Sequence, residues 1–194
     1  MKTESNVMYI LRLTVTLLLI CAVVAAALAG VNAITKDKIA AIKAEKTQKA
    51  IQAVLPGCVT VKEVAFTDDT GLVTKVYQSD MSLSSNFGAA FGYAVEVAPT
   101  GFGGEITMMV GVSATGEVLG ISIISHAETP GLGAVAAADN DKGVSFREQF
   151  TGLISGITIG DGDNQVDALS GATISSQAIV DGVNAALECI KNMG

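Results

Sequence analysis

Hydrophobic and polar positions divide this chain into three regimes. From Leu13 to Ala33 the sequence reads LTVTLLLICAVVAAALAGVNA, with no charged residue. A helix of that length spans about 31 Å at 1.5 Å per residue, enough for a bilayer core. Ile34 to Leu55 then mixes Ala and Lys with a broken apolar stripe at Ile39, Ile42, Ala50, Ile51 and Val54, and stops at Pro56-Gly57. This predicts a helix that continues out of the apolar span and packs partly on the domain beyond it. After Pro56 the pattern shortens to strand length. Gly71 to Ser79 and Phe91 to Val97 are predicted strands, the second with Phe91, Tyr93, Val95 and Val97 in alternation. Asp80 to Gly88 between them is polar and reads as a loop. Glu105 to Ser113 and Glu117 to Ser125 are two more strands, joined by Ala114-Thr115-Gly116 as a hairpin and therefore antiparallel. Phe146 to Leu153 fits a short helix or a strand. Ile174 to Asn192 is a predicted helix, with Ile179, Val183, Ala186 and Ile190 at helical spacing and Leu187 widening the stripe.

The resulting organisation is a tail over 1–12, a transmembrane helix over 13–33, a linker helix over 34–55 and a domain over 56–194. The domain's element order predicts an α+β fold around a mostly antiparallel sheet with flanking helices. A removable signal sequence competes with the anchor reading, because Val31-Asn32-Ala33 loosely resembles a cleavage site. Its apolar core, however, would be only about 7–15 residues. Bulky Ile20 argues against lipid attachment at Cys21.

Charge sharpens the division. Residues 1–49 carry Lys2, Arg12, Lys36, Lys38, Lys43, Lys46 and Lys49 against Glu4, Asp37 and Glu45, a net of +4, while the rest stands at −11, giving −7 in all. So acidic a domain repels phosphate backbones, which argues against a nucleic-acid binder. The lysines lie after the apolar span, so the positive-inside tendency alone would leave the domain in the cytoplasm. Cys58 and Cys189 have neither CxxC spacing nor a histidine cluster, which argues against a metal site; a disulfide and two buried thiols both remain open.

Candidate chemistry concentrates in two stretches. Asp167-Ala168-Leu169-Ser170-Gly171-Ala172-Thr173 ends where the last helix is predicted to begin. A helix start offers free N–H groups and the positive dipole end, which suit a phosphate. Gly171 and Ala172 let a bulky group approach the backbone. The plainer alternative is that Ser170 or Thr173 only caps the helix. The second stretch, His126-Ala127-Glu128-Thr129-Pro130-Gly131-Leu132-Gly133, follows the hairpin and holds the one histidine of the chain, with an acid, a hydroxyl and two glycines. Such a loop can wrap a planar ligand; an ordinary connection with a surface histidine is the alternative. Gly131 to Ala136 also fits GxGxxA, but it follows an antiparallel hairpin rather than the opening strand of a βαβ unit, so a dissociable dinucleotide is a second choice. No nucleophile–base pair, GxSxG or Walker loop is present, and no residue is assigned a catalytic role.

DALSGAT resembles the flavinylation motif of membrane respiratory complexes, in which FMN is joined through its phosphate to the threonine. HAETPGLG resembles the second motif of that family, and Gly101-Phe102-Gly103-Gly104 its glycine–aromatic element, with Phe102 where the family often has tyrosine. With the apolar N-terminus, the chain resembles the G subunit of Rnf-type ion-translocating electron-transport complexes. It is similar also to the C subunit of the Na⁺-translocating NADH:quinone reductase. The resemblance implies covalent FMN on Thr173, with Asp167, Ser170, Gly171 and Ala172 completing the recognition sequence of a flavin transferase. It implies a flavin pocket drawn from His126, Glu128, Thr129, Gly131, Leu132 and Gly133. It further implies an electron carrier with no independent activity, working among other subunits that couple ferredoxin and NAD to ion movement. The domain is then expected on the outer face of the inner cell membrane, against the local lysine count. The alternatives are the equivalent quinone-reductase subunit and, in another class, a non-redox anchored binding module.

Overall fold

The computed structural model describes residues 3–58, 60–79 and 92–193. The polar stretch Asp80 to Gly88, and Phe91 at the start of a predicted strand, lie outside the described residues. The chain divides into two compact units, Met1–Glu45 and Lys46–Gly194.

Helix α1 (Thr3–Val54) makes up the described part of the first unit and continues into the second. Ala, Leu and Val dominate it, and no proline interrupts the hydrogen-bond ladder before Pro56. It is the one described helix long and apolar enough to cross a membrane; its most apolar window has a mean hydropathy of 2.6, and none of that window is buried. The hydroxyls of Thr14 and Thr16 donate back to the carbonyls of Ile10 (3.0 Å) and Arg12 (2.8 Å). These two hydroxyls are thus satisfied within the helix, the arrangement that hydrocarbon would demand.

In the second unit five strands form an antiparallel meander in sequence order: β1 (Val61–Val64), β2 (Val73–Ser79), β3 (Gly92–Val97), β4 (Thr107–Ser113) and β5 (Val118–Ser125). The expected α+β architecture and antiparallel hairpin are present. The expected alternation in β3 is not, because the sheet is covered on both faces and every residue of β4 is buried. One face carries Val76, Val95, Met108 and Val110 against helices α2 (Asp141–Glu148) and α3 (Thr173–Met193). The other carries Ala94, Met109 and Ile124 against Ala50, Ile51, Val54 and Leu55 at the end of α1. A glycine allows close approach on each face. A Cβ on Gly111 would lie 2.6 Å from the Val54 carbonyl oxygen, and one on Gly182 would lie 2.5 Å from Met108 Cε.

Phe146 to Leu153 contains both a helix and a strand-like pairing. Phe146 lies in α2, the chain then turns through Phe150, and Gly152 and Leu153 exchange backbone hydrogen bonds with Val118 at the start of β5 (2.8 and 2.9 Å). Two short parallel strands, β6 (Thr158–Ile159) and β7 (Gln165–Val166), lead to α3. Cys58 and Cys189 are both free thiols, one beside the α1-side cluster and one inside the α3-side cluster. No disulfide joins them. Burial pushes the Cys189 thiol up from its ordinary pKa.

Candidate functional site

Antiparallel pairing brings three distant segments to one end of the sheet. Thr107 at the start of β4 faces Ser125 at the end of β5, so the β3–β4 connection lies beside the segment that leaves β5. That connection is pinned by Ile106 N–H donating to the Pro99 carbonyl (2.8 Å) and Gly101 N–H to the Gly104 carbonyl (2.8 Å). Phe102 sits at its tip with 70% of its surface exposed. The start of α3 reaches the same end.

The two stretches singled out by sequence use the same turn. In Thr129-Pro130-Gly131-Leu132 the N–H of Leu132 donates to the Thr129 carbonyl (3.2 Å), and Gly131 has φ +79°. In Leu169-Ser170-Gly171-Ala172 the N–H of Ala172 donates to the Leu169 carbonyl (2.9 Å), and Gly171 has φ +74°. A positive φ at the third residue is the type II pattern, which admits glycine without strain. The turns face each other: a Cβ on Gly171 would lie 3.2 Å from Leu132 Cδ2.

Between them opens a cavity of about 340 Å³, in the lower part of the range of small-molecule sites. One wall is Glu128, Thr129, Leu132 and Gly133; the opposite wall is Gly171, Ala172, Thr173, Ile174 and Ser175; Phe102 stands at the side. Three apolar side chains are unusually open for a soluble surface: Phe102, Leu132 at 43% and Ile174 at 58% exposure.

The α3 wall is the polar one. The helix starts at Thr173, so Ala172, which has no side-chain acceptor, occupies the cap position, and neither Ser170 nor Thr173 caps it. Among the described residues nothing accepts from the N–H groups of Thr173, Ile174 and Ser175. The hydroxyls on this wall differ in access. Ser175 and Ser176 are buried and hydrogen-bonded, Ser175 to Glu128 Oε2 (2.7 Å) and Ser176 to the Ala172 carbonyl (3.0 Å). Ser170 and Thr173 are exposed, and of these only Thr173 lines the cavity. Thr129 is exposed on the opposite wall, ahead of the short 3-10 helix Gly133–Ala137, and its carbonyl accepts from Leu132 N–H (3.2 Å) and Ala134 N–H (3.3 Å).

Glu128 is 6% exposed. Its Oε1 accepts from Gly103 N–H (2.9 Å) and its Oε2 from the Ser175 hydroxyl. One carboxylate therefore ties together the glycine–aromatic turn, the loop after β5 and the start of α3. The space it fills is closely measured, since a Cβ on Gly133 would lie 2.5 Å from both Oε2 and Ser175 Oγ.

The cavity thus gathers Glu128, Thr129, Leu132, Gly133, Gly171, Ala172 and Thr173, with Gly131 and Ser170 in the supporting turns. His126 does not face it. Its ring is exposed in a separate groove with Lys46, Lys49 and Ser125, and its Nδ1 accepts from Glu128 N–H (3.2 Å). Ile174 and Ser175 are cavity residues that the sequence did not single out for the pocket. A residue immediately after the motif, at the first turn of a helix, was the available signal. No group of His, Cys, Asp or Glu suited to a metal ion occurs among the described residues.

An uncapped helix start beside an exposed hydroxyl suits a phosphate, and the apolar rim suits an aromatic ring system. The chain matches the family model of the FMN-binding domain over residues 101–188 and that of the RnfG N-terminal region over residues 1–54. It is 31% identical to the G subunit of a Na(+)-translocating ferredoxin:NAD(+) oxidoreductase complex of Acetobacterium woodii, over 99% of this chain and 97% of that protein. It is 33% identical to the G subunit of an ion-translocating oxidoreductase complex of Methanosarcina acetivorans, over 93% and 94%. In fold it resembles the C subunit of the Na(+)-translocating NADH-quinone reductase of Parabacteroides distasonis, at a TM-score of 0.53 and 18% identity over 75% of this chain and 90% of that one. The chain belongs to the G-subunit family of Rnf-type ion-translocating oxidoreductase complexes, and its globular part is an FMN-binding domain.

Proposed function

We propose that this protein is the membrane-anchored flavin carrier of an Rnf-type complex, with FMN joined by a phosphodiester to Thr173 Oγ1. One observation carries the reading: among the residues lining the cavity, Thr173 alone joins an exposed hydroxyl to the start of an α-helix whose first N–H groups are free to bind a phosphate. When bound, FMN supplies a group that takes up and releases electrons. The protein's own work is to hold and shield it. Thr173, Ile174 and Ser175 N–H groups would bind the phosphate oxygens, the Gly131 and Gly171 turns would admit the ring, and Phe102, Leu132 and Ile174 would cover it from water. A covalent link keeps the group on a domain whose cavity is open to solvent.

The relatives are named as subunits of multi-subunit complexes, so other subunits of this complex are the partners, and the Acetobacterium woodii name supplies ferredoxin and NAD as the redox couple. A flavin transferase makes the phosphodiester. We assign residues 13–33 to the bilayer, with 1–12 before it and 34–55 linking it to the domain. We place the domain on the outer face of the cell membrane. Lys36, Lys38 and Lys43 run against that orientation, but loop-charge bias weakens for large translocated domains.

Intact mass of the full chain, expressed with and without the flavin transferase, tests the proposal. The expected result is one FMN-sized increment that survives acid denaturation and maps to the peptide containing Thr173. Flavin that leaves on acid precipitation, or a bare Thr173 in flavin-bearing material, overturns it.

A further inference from the structure

Glu128 is the one ionisable side chain among the residues lining the cavity. It is nearly fully buried, and both its oxygens accept hydrogen bonds, the pattern of an ionised carboxylate. No lysine, arginine or histidine shares the lining. Lys46, Lys49 and His126 face the other groove, and His126 meets the backbone of Glu128 rather than its carboxylate. The charge is thus satisfied by hydrogen bonds and left without a counter-charge in the cavity wall. At the low effective dielectric of such a wall it is felt by whatever occupies the cavity far more strongly than it would be in water.

We propose that Glu128 is the positioning residue of this site and that its uncompensated buried charge lowers the reduction potential of the flavin. The inference rests on the reading that FMN on Thr173 occupies this cavity. Positioning follows from geometry: the two carboxylate oxygens lock Gly103, and with it Phe102, and Ser175, and with it the start of α3, onto the loop after β5. The effect on potential follows from charge: reduction brings negative charge to the ring, and a fixed anion in the wall opposes it.

The two roles separate in Glu128→Gln. Glutamine keeps an acceptor for Gly103 N–H, and its amide can donate to Ser175 Oγ, since a hydroxyl serves either way. The full chain, co-expressed with the flavin transferase and solubilised in detergent, is titrated by spectroelectrochemistry. Wild-type protein is scored first for covalent flavin; its absence would sink the underlying reading and this one together. With wild type loaded, E128Q is expected to carry flavin at the wild-type level and to show a more positive midpoint potential. Glu128→Ala, which leaves Gly103 N–H and Ser175 without their acceptor, is expected to load several-fold less flavin. Glu148→Gln, which removes an exposed charge outside the cavity lining, should leave the potential where it was. An unchanged potential in fully loaded E128Q, an equal shift in E148Q, or failure of E128Q to load would each overturn the proposal while leaving attachment at Thr173 intact.

Discussion

Helices α2 and α3 belong to one domain and begin in opposite ways. Before α2, Asn140 is extended and its side chain accepts from Gly143 N–H (2.9 Å), while Asp141 places an acid in the first turn. At the other end, Arg147 donates to the carbonyls of Ala136 (2.6 Å) and Ala138 (3.0 Å). Before α3 stands Ala172; no acid occupies the first turn, and three N–H groups have no acceptor among the described residues. A cap is worth about 1 kcal/mol, so the start of α3 is less stable than its sequence could have made it. Helix α3 tolerates this because Ile179, Val183, Ala186 and Ile190 are buried against the sheet farther along. Helix α2, at 8 residues, buries only Gly143 and Phe146 and depends more on its ends. A helix that completes its own hydrogen bonds supports structure, and one that leaves them open where packing is strong can serve a ligand.

Substitutions at the two starts should therefore act on different properties. The largest effect is expected from Thr173→Ala, which should abolish covalent flavin fluorescence in denaturing gels. Its stability should change by less than about 0.5 kcal/mol, because the Thr173 hydroxyl makes no hydrogen bond that would be lost. Fluorescence that persists would break the comparison at its functional end. Gly143→Ala should do the reverse. Its Cβ would press on the carbonyl oxygens of Val135 and Ala138, and these are backbone atoms that cannot swing away. Denaturant unfolding should show a loss of about 1–3 kcal/mol with flavin still attached. Asn140→Ala removes only the cap and should cost about 1 kcal/mol by the same measurement, again with full flavin.

What the sequence disclosed was what short-range chemistry writes. The stripe Ile179, Val183, Ala186, Ile190 announced α3, and Ala114-Thr115-Gly116 announced the β4–β5 hairpin, because period and turn are local properties. Strand β1, with Lys62 and Glu63 at its centre, gives no such signal and is defined by its partner β2. The start of α2 was legible in principle, since Asn140-Asp141 is a cap followed by a first-turn acid, but the apolar cluster from Phe146 onward masks it with a signal that fits helix and strand alike. Strand β3 lost its expected alternation because α1 covers the face that a meander usually leaves to solvent. At the site, both motifs were visible as strings, whereas their union was not. The bond from Ser175 to Glu128 spans 47 positions, and the exposure of Phe102 exists only once Gly101 and Gly104 have closed its turn. The cysteines show the same limit: spacing left a disulfide open, and only the sheet between the two clusters that hold Cys58 and Cys189 decides against it.

The smallest expected effect probes the open start of α3 directly. Protein made without the flavin transferase keeps its three N–H groups available, so inorganic phosphate should bind there and stabilise the fold. At a phosphate concentration equal to its dissociation constant the gain is about 0.4 kcal/mol. For a unit of this size that is a rise in melting temperature of about 1 °C. Phosphate also stabilises proteins generally by exclusion from their surfaces, so the informative quantity is a difference. Flavin-loaded protein, with its own phosphate in place, should gain less than unloaded protein in the same buffers. Unloaded Asn140→Ala should melt lower but keep the full increment, because α3 is untouched and Asp141 in the first turn of α2 repels phosphate from the start that the substitution uncaps. Equal increments in loaded and unloaded protein would mean that the start of α3 is not where phosphate binds. The contrast between the two helices would then describe packing alone.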